Sequence, residues 1–186
     1  MTPSTFTGWV VGFGGSVDGS GEFADFVRTN TPALTRTAYL LCGDSLAAEE
    51  LVQETLVRLY PKWQLVAAAE APLAYVRRSM ANQFVNQSRR PWRREVTVEA
   101  MPERADHRDP AGQFDDREEL WAMLGSLPAR QRAALVLRYF HDLPDEEIGA
   151  ALGCQLGTVR SLISRGLAAL RDQVAASEVD TVRRFA

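Results

Sequence analysis

The stretch DEEIGAALGCQLGTVRSLISRGLAAL, residues 145–170, predicts two short amphipathic helices separated by a turn at Gly153. The first helix carries acidic side chains at its start, and the second carries only basic charge. A further helix is predicted from about Ala129. Together the three have the spacing of a helix-turn-helix, in which the last helix enters the major groove of DNA. This stretch therefore predicts an all-α unit that binds DNA.

The last helix of this stretch has two faces at 100° per residue. The apolar face, which we expect to pack in the core, contains Val159, Ile163, Leu167 and Leu170. The opposite face carries small polar and basic residues, which can approach base edges or fork onto guanine. An arginine on this face can also lie along its own helix without reaching DNA. The predicted DNA contacts are Thr158, Arg160, Ser161, Ser164 and Arg165.

Composition excludes several classes of protein. The chain has 186 residues, a net charge of −3 and no apolar run of the roughly 18 residues that span a bilayer. No basic residue precedes Arg28, so the N-terminus lacks the charged flank of a secretion signal. Cys42 and Cys154 are the only cysteines, and neither has a neighbour at metal-ligand spacing. These features predict a cytoplasmic protein with reduced thiols, without membrane insertion, metal or cofactor.

Glycine, proline and charge divide the chain into five parts. Residues 1–21 contain six of the 13 glycines and are predicted to form a flexible tail. Residues 22–92 and 118–176 are helical in pattern, and residues 93–117 form a proline-containing acidic linker between them. Residues 177–186 form a short C-terminal tail. The predicted fold is all-α, with two small helical domains joined by a flexible acidic linker.

Charge is concentrated in one segment of the first domain. Residues 72–94 contain six arginines and no acidic residue, whereas residues 95–126 contain nine acidic and three basic residues. The cationic segment predicts a helix with a buried stripe of Leu73, Val76, Met80 and Phe84. Its opposite face combines guanidinium, amide and aromatic groups, which suits unpaired bases, although an ordinary cationic surface helix is the alternative. The candidate residues are Tyr75, Arg78, Asn82, Asn86 and Arg89, with Trp63 and Trp92 predicted just outside the helix at either side.

A helix that begins near Asp44 precedes this segment. Its apolar side is predicted to contain Ala48, Leu51, Val52, Thr55, Leu56 and Leu59. Its polar side has three carboxylates and no interleaved basic residue, which favours a docking face for a basic partner over a simple solvated surface. The residues of this acidic face are Glu49, Glu50, Gln53 and Glu54.

Three segments, in this order and spacing, resemble a known family. They are AEELVQET at 48–55, AYVRRSMANQFVNQSRR at 74–90, and LPARQRAALVLRYFHDLPDEEIGAALGC with GTVRSLISRGLAALR at 127–171. The chain resembles an extracytoplasmic-function (ECF) sigma factor, the minimal two-domain branch of the sigma-70 family, and in particular the short actinobacterial SigE-type subgroup. The resemblance covers roughly residues 22–172.

The resemblance implies roles for both domains. Sigma region 2, here 22–92, is implied to bind the β′ clamp helices of core RNA polymerase through the acidic face. It is also implied to open the −10 element with the cationic helix and the loop at 64–72. Sigma region 4, here 118–176, is implied to sit on the β flap and to read the −35 element of promoter DNA. An anti-sigma factor is a further implied partner. Two positions depart from the family pattern: Leu162 stands where a basic residue is frequent, and Gly166 replaces a usual alanine.

Two other classes of function are alternatives to a transcription initiation factor. A stand-alone helix-turn-helix regulator would leave the acidic face and the cationic helix without a role. An enzyme is not expected, because neither His107 nor His141 has a plausible catalytic partner in the sequence.

Overall fold

A computed structural model of the protein describes residues 17–88 and 121–185, and no β-strand occurs within these two ranges. The first unit (residues 17–88) consists of α1 (Val17–Cys42), α2 (Ser45–Leu59), a 3-10 turn (Tyr60–Lys62), α3 (Trp63–Ala67) and α4 (Pro72–Gln87). The second unit (residues 121–185) has a helical stretch at 121–126. It continues with α5 (Ala129–Leu135), a π-helical turn (Val136–Phe140), α6 (Asp145–Leu152) and α7 (Leu156–Phe185). The predicted all-α class is confirmed.

Helix α2 forms because its ends are capped and one of its sides is apolar. Gly43 adopts a φ of +74°, which turns the chain after α1, and the Asp44 carboxylate accepts a hydrogen bond from the Ala47 amide at 2.7 Å. The buried residues of α2 are the six predicted ones: Ala48, Leu51, Val52, Thr55, Leu56 and Leu59. Burial of this side leaves the acidic face of α2 on the surface.

Trp63 lies outside the cationic helix α4, as predicted, but it is not available to a nucleic-acid base. Its side chain is buried, and its ring lies 5.1 Å from the ring of Phe23 and 4.8 Å from that of Phe26. Aromatic contacts at these distances contribute about 0.5–1.5 kcal/mol beyond area burial. The indole therefore joins α3 to the start of α1, and it has no free face for a nucleic-acid base.

The second unit has helix-turn-helix geometry. Gly153 ends α6 in the left-handed conformation, with a φ of 59° and a ψ of 50°. A Cβ atom at Gly149 would lie 2.8 Å from the carbonyl oxygen of Cys154, so only glycine allows the turn to fold back onto α6. The predicted turn at Gly153 is thus found, and α7 begins at Leu156.

Two predicted boundaries differ from the structure. Helix α1 begins at Val17, so residues 17–21 of the predicted tail are helical. Helix α7 continues to Phe185 and includes most of the predicted C-terminal tail. The predicted linker at 93–117, together with Arg89 and Trp92, lies outside the described residues.

The two units are in direct contact, which the sequence did not predict. Arg132 of α5 is only 8% exposed and donates a 2.7 Å hydrogen bond to the carbonyl oxygen of Leu41 at the end of α1. Its guanidinium also lies 5.7 Å from the centroid of the Phe84 ring of α4. The carbonyl end of a helix attracts positive charge, and a cation over an aromatic face adds to this attraction. Arg132 therefore joins the second unit to the C-terminal end of α1.

Candidate nucleic-acid and polymerase interfaces

The first turns of α7 present the predicted DNA-contact residues on the outside of the second unit. Thr158, Ser164 and the two arginines of this face are exposed, and Ser161 is half-buried. The core side is centred on Val159, Leu162 and Gly166, whereas Ile163, Leu167 and Leu170 are half-buried and pack at its edge. Leu162 is therefore a core residue, which explains the absence of a basic residue there. The exposed face remains Thr158, Arg160, Ser161, Ser164 and Arg165.

An acidic residue that sequence reasoning missed holds Arg160. Asp145, at the first position of α6, has a 13% exposed side chain and lies between two arginines. Its Oδ2 accepts a 3.1 Å hydrogen bond from Arg160 Nε, and its Oδ1 accepts one from Arg138. The Arg160 side chain itself stays 72% exposed. The carboxylate thus fixes the stem of Arg160 while its outer nitrogens face solvent, and the acidic start of α6 was the only sequence signal for this role.

Arg165 has a local partner in the structure. Its Nε donates a 3.2 Å hydrogen bond to the carbonyl oxygen of Ser161, one turn earlier in α7. The side chain is nevertheless exposed, so its planar guanidinium has further donors that face solvent. The arrangement permits either a contact with a base or a position along the helix, which are the two alternatives predicted for this residue.

Gly166 has a packing reason. A Cβ atom at this position would lie 2.9 Å from Leu135 Cδ1 and 3.3 Å from Leu135 Cγ. Leu135 is itself buried on α5. Glycine weakens a helix by about 1 kcal/mol relative to alanine, but here it allows α5 and α7 to approach closely. The close approach holds the recognition helix against its support.

The predicted face of α4 is arranged in two parts. Tyr75 and Asn86 are exposed, and the Nδ2 atom of Asn86 donates a 3.0 Å hydrogen bond to Asn82 Oδ1. These side chains offer an aromatic ring and amide groups along one side of the helix, as predicted. Val76 and Met80 are buried as predicted, whereas Leu73 and Phe84 are half-buried.

The arginines of α4 face the second unit. Arg78 forms an ion pair with Glu147 of α6, and their side chains are 29% and 42% exposed. The neighbouring Arg77 is half-buried, its Nε is buried without a hydrogen-bond partner, and desolvation lowers its pKa. The structure therefore places Arg78, a predicted DNA contact, against a carboxylate of the helix-turn-helix.

The acidic face of α2 is exposed at all four predicted positions. Glu49, Glu50 and Gln53 lie along the outer side of the helix. The Oε2 of Glu54 accepts hydrogen bonds from Gln83 at 2.8 Å and from Gln87 of α4. The structure thus couples one end of the acidic face to the cationic helix.

His141 lies where the two units meet. Its Nε2 is 3.1 Å from the hydroxyl oxygen of Thr37 in α1. Burial, and then the positive charge of Arg77, lower the pKa of His141 to about 4. The imidazole is therefore neutral at physiological pH.

Within residues 17–88 and 121–185, no helix is long and apolar enough to cross a bilayer. The exposed basic start of α7, supported by α6 and α5, defines a helix-turn-helix DNA-binding protein. Two family models identify the kind of helix-turn-helix protein. Residues 26–94 match the model for Sigma-70 region 2, and residues 117–170 match Sigma-70, region 4.

Several relatives are similar over most of the chain. RNA polymerase sigma-E factor of Streptomyces coelicolor is 37% identical over 159 residues, which cover 86% of this chain and 89% of the relative. ECF RNA polymerase sigma factor SigE of Mycolicibacterium smegmatis is 38% identical over 167 residues, which cover 86% of this chain and 64% of that protein. A solved sigma factor RpoE from Bartonella quintana, in complex with the anti-sigma factor NepR, is 26% identical. It aligns with a TM-score of 0.64 over 83% of this chain and 97% of its own.

The chain belongs to the sigma-70 family of RNA polymerase sigma factors, within its extracytoplasmic-function branch. It is a transcription initiation factor of the kind that directs polymerase to promoters. The match over 26–94 accounts for the first unit, so the alternative of a stand-alone regulator is not favoured.

Proposed function

We propose that the chain assembles with core RNA polymerase and selects promoters through three separate surfaces. This proposal rests on the exposed face at the start of α7. The turn after α6 and the close packing of α7 on α5 keep that face on the surface. Membership of the sigma family indicates RNA polymerase and promoter DNA as the partners. The exposed residues of the chain are the proposed contacts.

The −35 contact is assigned to Thr158, Arg160, Ser161, Ser164 and Arg165. Residues near the start of a recognition helix reach deepest into the major groove. Arg165 projects from the outer face and is proposed to read a guanine with its free donors, whereas Arg160, held by Asp145, is proposed to contact a backbone phosphate. Asp145 acts through Arg160 and is a positioning residue.

The −10 contact is assigned to α4. Tyr75 offers a ring on which an unpaired base can stack, and the Asn82–Asn86 pair offers amide donors and acceptors for a base edge. Arg78 is proposed to bind a phosphate of the opened strand, with Arg89 beyond it. Trp63 is excluded from this surface by its burial.

The polymerase contact is assigned to the acidic face of α2, Glu49, Glu50, Gln53 and Glu54. An exposed row of carboxylates favours a basic partner surface, and the clamp helices of the β′ subunit are the proposed one. The second unit is proposed to bind the β flap. An anti-sigma factor is a further proposed partner, because the Bartonella sigma factor was solved with one. This activity places the protein in the cytoplasm.

The direct test is reconstitution. The purified chain is mixed with core polymerase and a template that carries its own promoter region, and run-off transcripts are measured against core enzyme alone. We expect a discrete transcript that depends on the chain. Absence of that transcript, together with tight binding of duplex promoter DNA by the chain alone, would contradict the proposal and support a regulator.

A further inference from the structure

We infer that the N-terminal segment 6–13 docks on an apolar surface of the first unit, which is formed by Phe23, Tyr60 and Leu65. The segment has the sequence FTGWVVGF, and five of its eight residues are large and apolar. It precedes the match to Sigma-70 region 2, which begins at residue 26. The family match therefore gives this segment no role.

The composition of the segment favours contact with another apolar surface. No charged residue precedes Asp18, and Trp9, Val10 and Val11 form a continuous apolar run. Apolar side chains gain free energy when they leave water, and a large uncovered patch of them usually marks a contact site. The sequence GGS at 14–16 joins the segment to α1, and small residues of this kind allow a chain to reverse its direction. The segment can therefore return toward the helix that follows it.

Apolar side chains are exposed close to the start of α1. The ring of Phe23 contacts the ring of Tyr60, with centroids 4.9 Å apart, yet Tyr60 is still 40% exposed. Trp63 holds α3 against the same phenylalanine, with its ring 5.1 Å away. Leu65 follows on α3 and is 75% exposed. Tyr60 and Leu65 thus present apolar surface to solvent at the end of the first unit that the segment precedes.

Chain length favours this surface over other exposed apolar positions. The segment ends at Phe13, which can lie up to about 14 Å from the first residue of α1, and Phe23 is about 9 Å along that helix. Leu46 is a further exposed leucine, but it follows the other end of α1, whose 26 residues span about 39 Å. The segment would have to be fully extended, at about 39 Å for Phe6, to approach it. The surface around Phe23 needs no such extension.

The apolar surface borders the proposed −10 contact. Leu65 lies within residues 64–72, the stretch that the family resemblance implies in opening the −10 element, and α4 begins directly after this stretch. A segment that covers Leu65 occupies space that an opened DNA strand needs. It should therefore lower the affinity of the free chain for that strand. This consequence rests on the proposed function, whereas the docking itself does not.

The docking is tested by photo-crosslinking of the full chain with p-benzoylphenylalanine at position 9. Peptide mass spectrometry locates the crosslinked residue, and a mixture of isotope-labelled and unlabelled chains separates contacts within one chain from contacts between two copies. We expect crosslinks to residues 60–65 of the same chain. Leu65→Ser should lower their yield about fivefold, because it removes apolar area from the contact. Leu46→Ser, at a position that is 67% exposed, is the matched control and should leave the yield unchanged.

Three results would overturn the inference: crosslinks to a second copy, crosslinks confined to other parts of the chain, and equal yields in the two leucine variants. Failure of the wild-type chain to support run-off transcription is a separate result. It would overturn the proposed function and would leave the crosslinks as they are.

The consequence at the −10 element is tested with two triple variants. Serine replaces three apolar residues of the segment in one variant and three threonines in the control; the positions are Phe6, Trp9 and Phe13, and Thr2, Thr5 and Thr7. The readout is affinity for a single-stranded oligonucleotide from the non-template strand of the protein's own promoter region. The apolar variant should bind about threefold more tightly than the wild type, because the fraction of uncovered chains limits binding. Melting curves check that both variants remain folded, and equal affinities of both variants and the wild type would overturn the covering of the −10 stretch.

Discussion

Helices α4 and α7 both carry residues proposed to contact promoter DNA, but the exposure of their arginines differs. Arg160 and Arg165 of α7 extend from the surface, and Arg160 remains 72% exposed although Asp145 holds it. Arg78 of α4 is 29% exposed and is paired with a carboxylate from the other unit. In the free chain the proposed −35 face is available, and part of the proposed −10 face is covered.

This difference shows that a basic helix face can be predicted from the sequence, whereas its coverage by another part of the chain cannot. Both helices have a basic outer face in the sequence, and each could serve DNA equally well by composition. The covered face is distinguished only by its tertiary partner.

The largest expected effect comes from Arg132, which joins the units. Arg132→Met removes the donors to the carbonyl oxygens of Leu41, Gly125 and Leu127. Buried carbonyls without donors should lower the free energy of unfolding by about 3 kcal/mol and the melting temperature by roughly 10 °C. Arg171→Met, at an exposed position of α7, is the matched control and should change stability by less than about 0.5 kcal/mol. Similar melting curves for both variants would contradict the role of Arg132.

The second expected effect concerns α7. Arg165→Ala should lose about 2 kcal/mol of discrimination between bases at one or two positions of the −35 element, because an arginine–guanine pair is lost. Arg160→Ala should weaken binding to all −35 sequences by a similar amount. Asp145→Asn should cause a smaller loss of the same uniform kind, because it releases Arg160. Selection of promoters from a library randomised at the −35 element separates these outcomes. A base-specific loss in Arg160→Ala and a uniform loss in Arg165→Ala would exchange the two roles.

The third expected effect concerns strand opening by α4. Asn82→Ala should preserve assembly with polymerase but reduce open-complex formation about tenfold, since a hydrogen bond to a flipped base is lost. Permanganate reactivity of thymines in the −10 element is the measurement, and a template that is already melted there should restore activity. Asn30→Ala, in which the lost amide only donates to the Phe26 carbonyl, is the control. A defect that persists on the melted template would place Asn82 in another role.

Acid should weaken the contact between the two units, because His141 is half-buried there. Its pKa is lowered to about 4 by burial and by Arg77, whereas an exposed histidine titrates near 6.5. The contact is therefore fully stable above about pH 7 and loses stability as the pH falls from there toward 4. Between pH 7.5 and 6.0 the fraction of chains with separated units should rise about fourfold. His141→Gln should remove this dependence in energy transfer between dyes on the two units, and an unchanged pH profile in that variant would assign the effect to other groups.

The smallest expected effect concerns the acidic face. Glu49→Arg should weaken binding of core polymerase about threefold and increase its dependence on salt, as is usual for a charge at the rim of an interface. Glu49 is the sharpest position for this test, because Glu54 also binds Gln83. Glu22→Arg, on the exposed side of α1, controls for net charge. Equal affinities of both variants and the wild type would remove polymerase docking from this face.

Local features of the fold could be predicted from the sequence because their causes are local. The six buried positions of α2, its start near Asp44 and the Gly153 turn follow from periodicity and from short-range hydrogen bonding. The exposed face of α7 could be predicted for the same reason. Its edge residues Ile163 and Leu167 are less buried than expected, because α5 approaches at Gly166 instead.

Long-range features could not be predicted. Nothing near Trp63 in the sequence indicates that Phe23 and Phe26 enclose it. Arg132 has the sequence environment of a surface arginine, yet it is buried and binds the carbonyl oxygen of Leu41, 91 positions away in the sequence. The pair of Arg78 and Glu147 likewise depends on how the two units dock, which periodicity and charge counts do not report.

The covering of α4 is tested most directly by energy transfer between dyes at positions 28 and 172. The transfer is measured on the same chain before and after core polymerase and promoter DNA are added. We predict a short distance in the free chain and an increase of tens of ångströms in the promoter complex, because the two units then bind separate promoter elements. A free chain that is already extended, or a promoter complex that keeps the short distance, would contradict a contact between the units that must open to bind DNA.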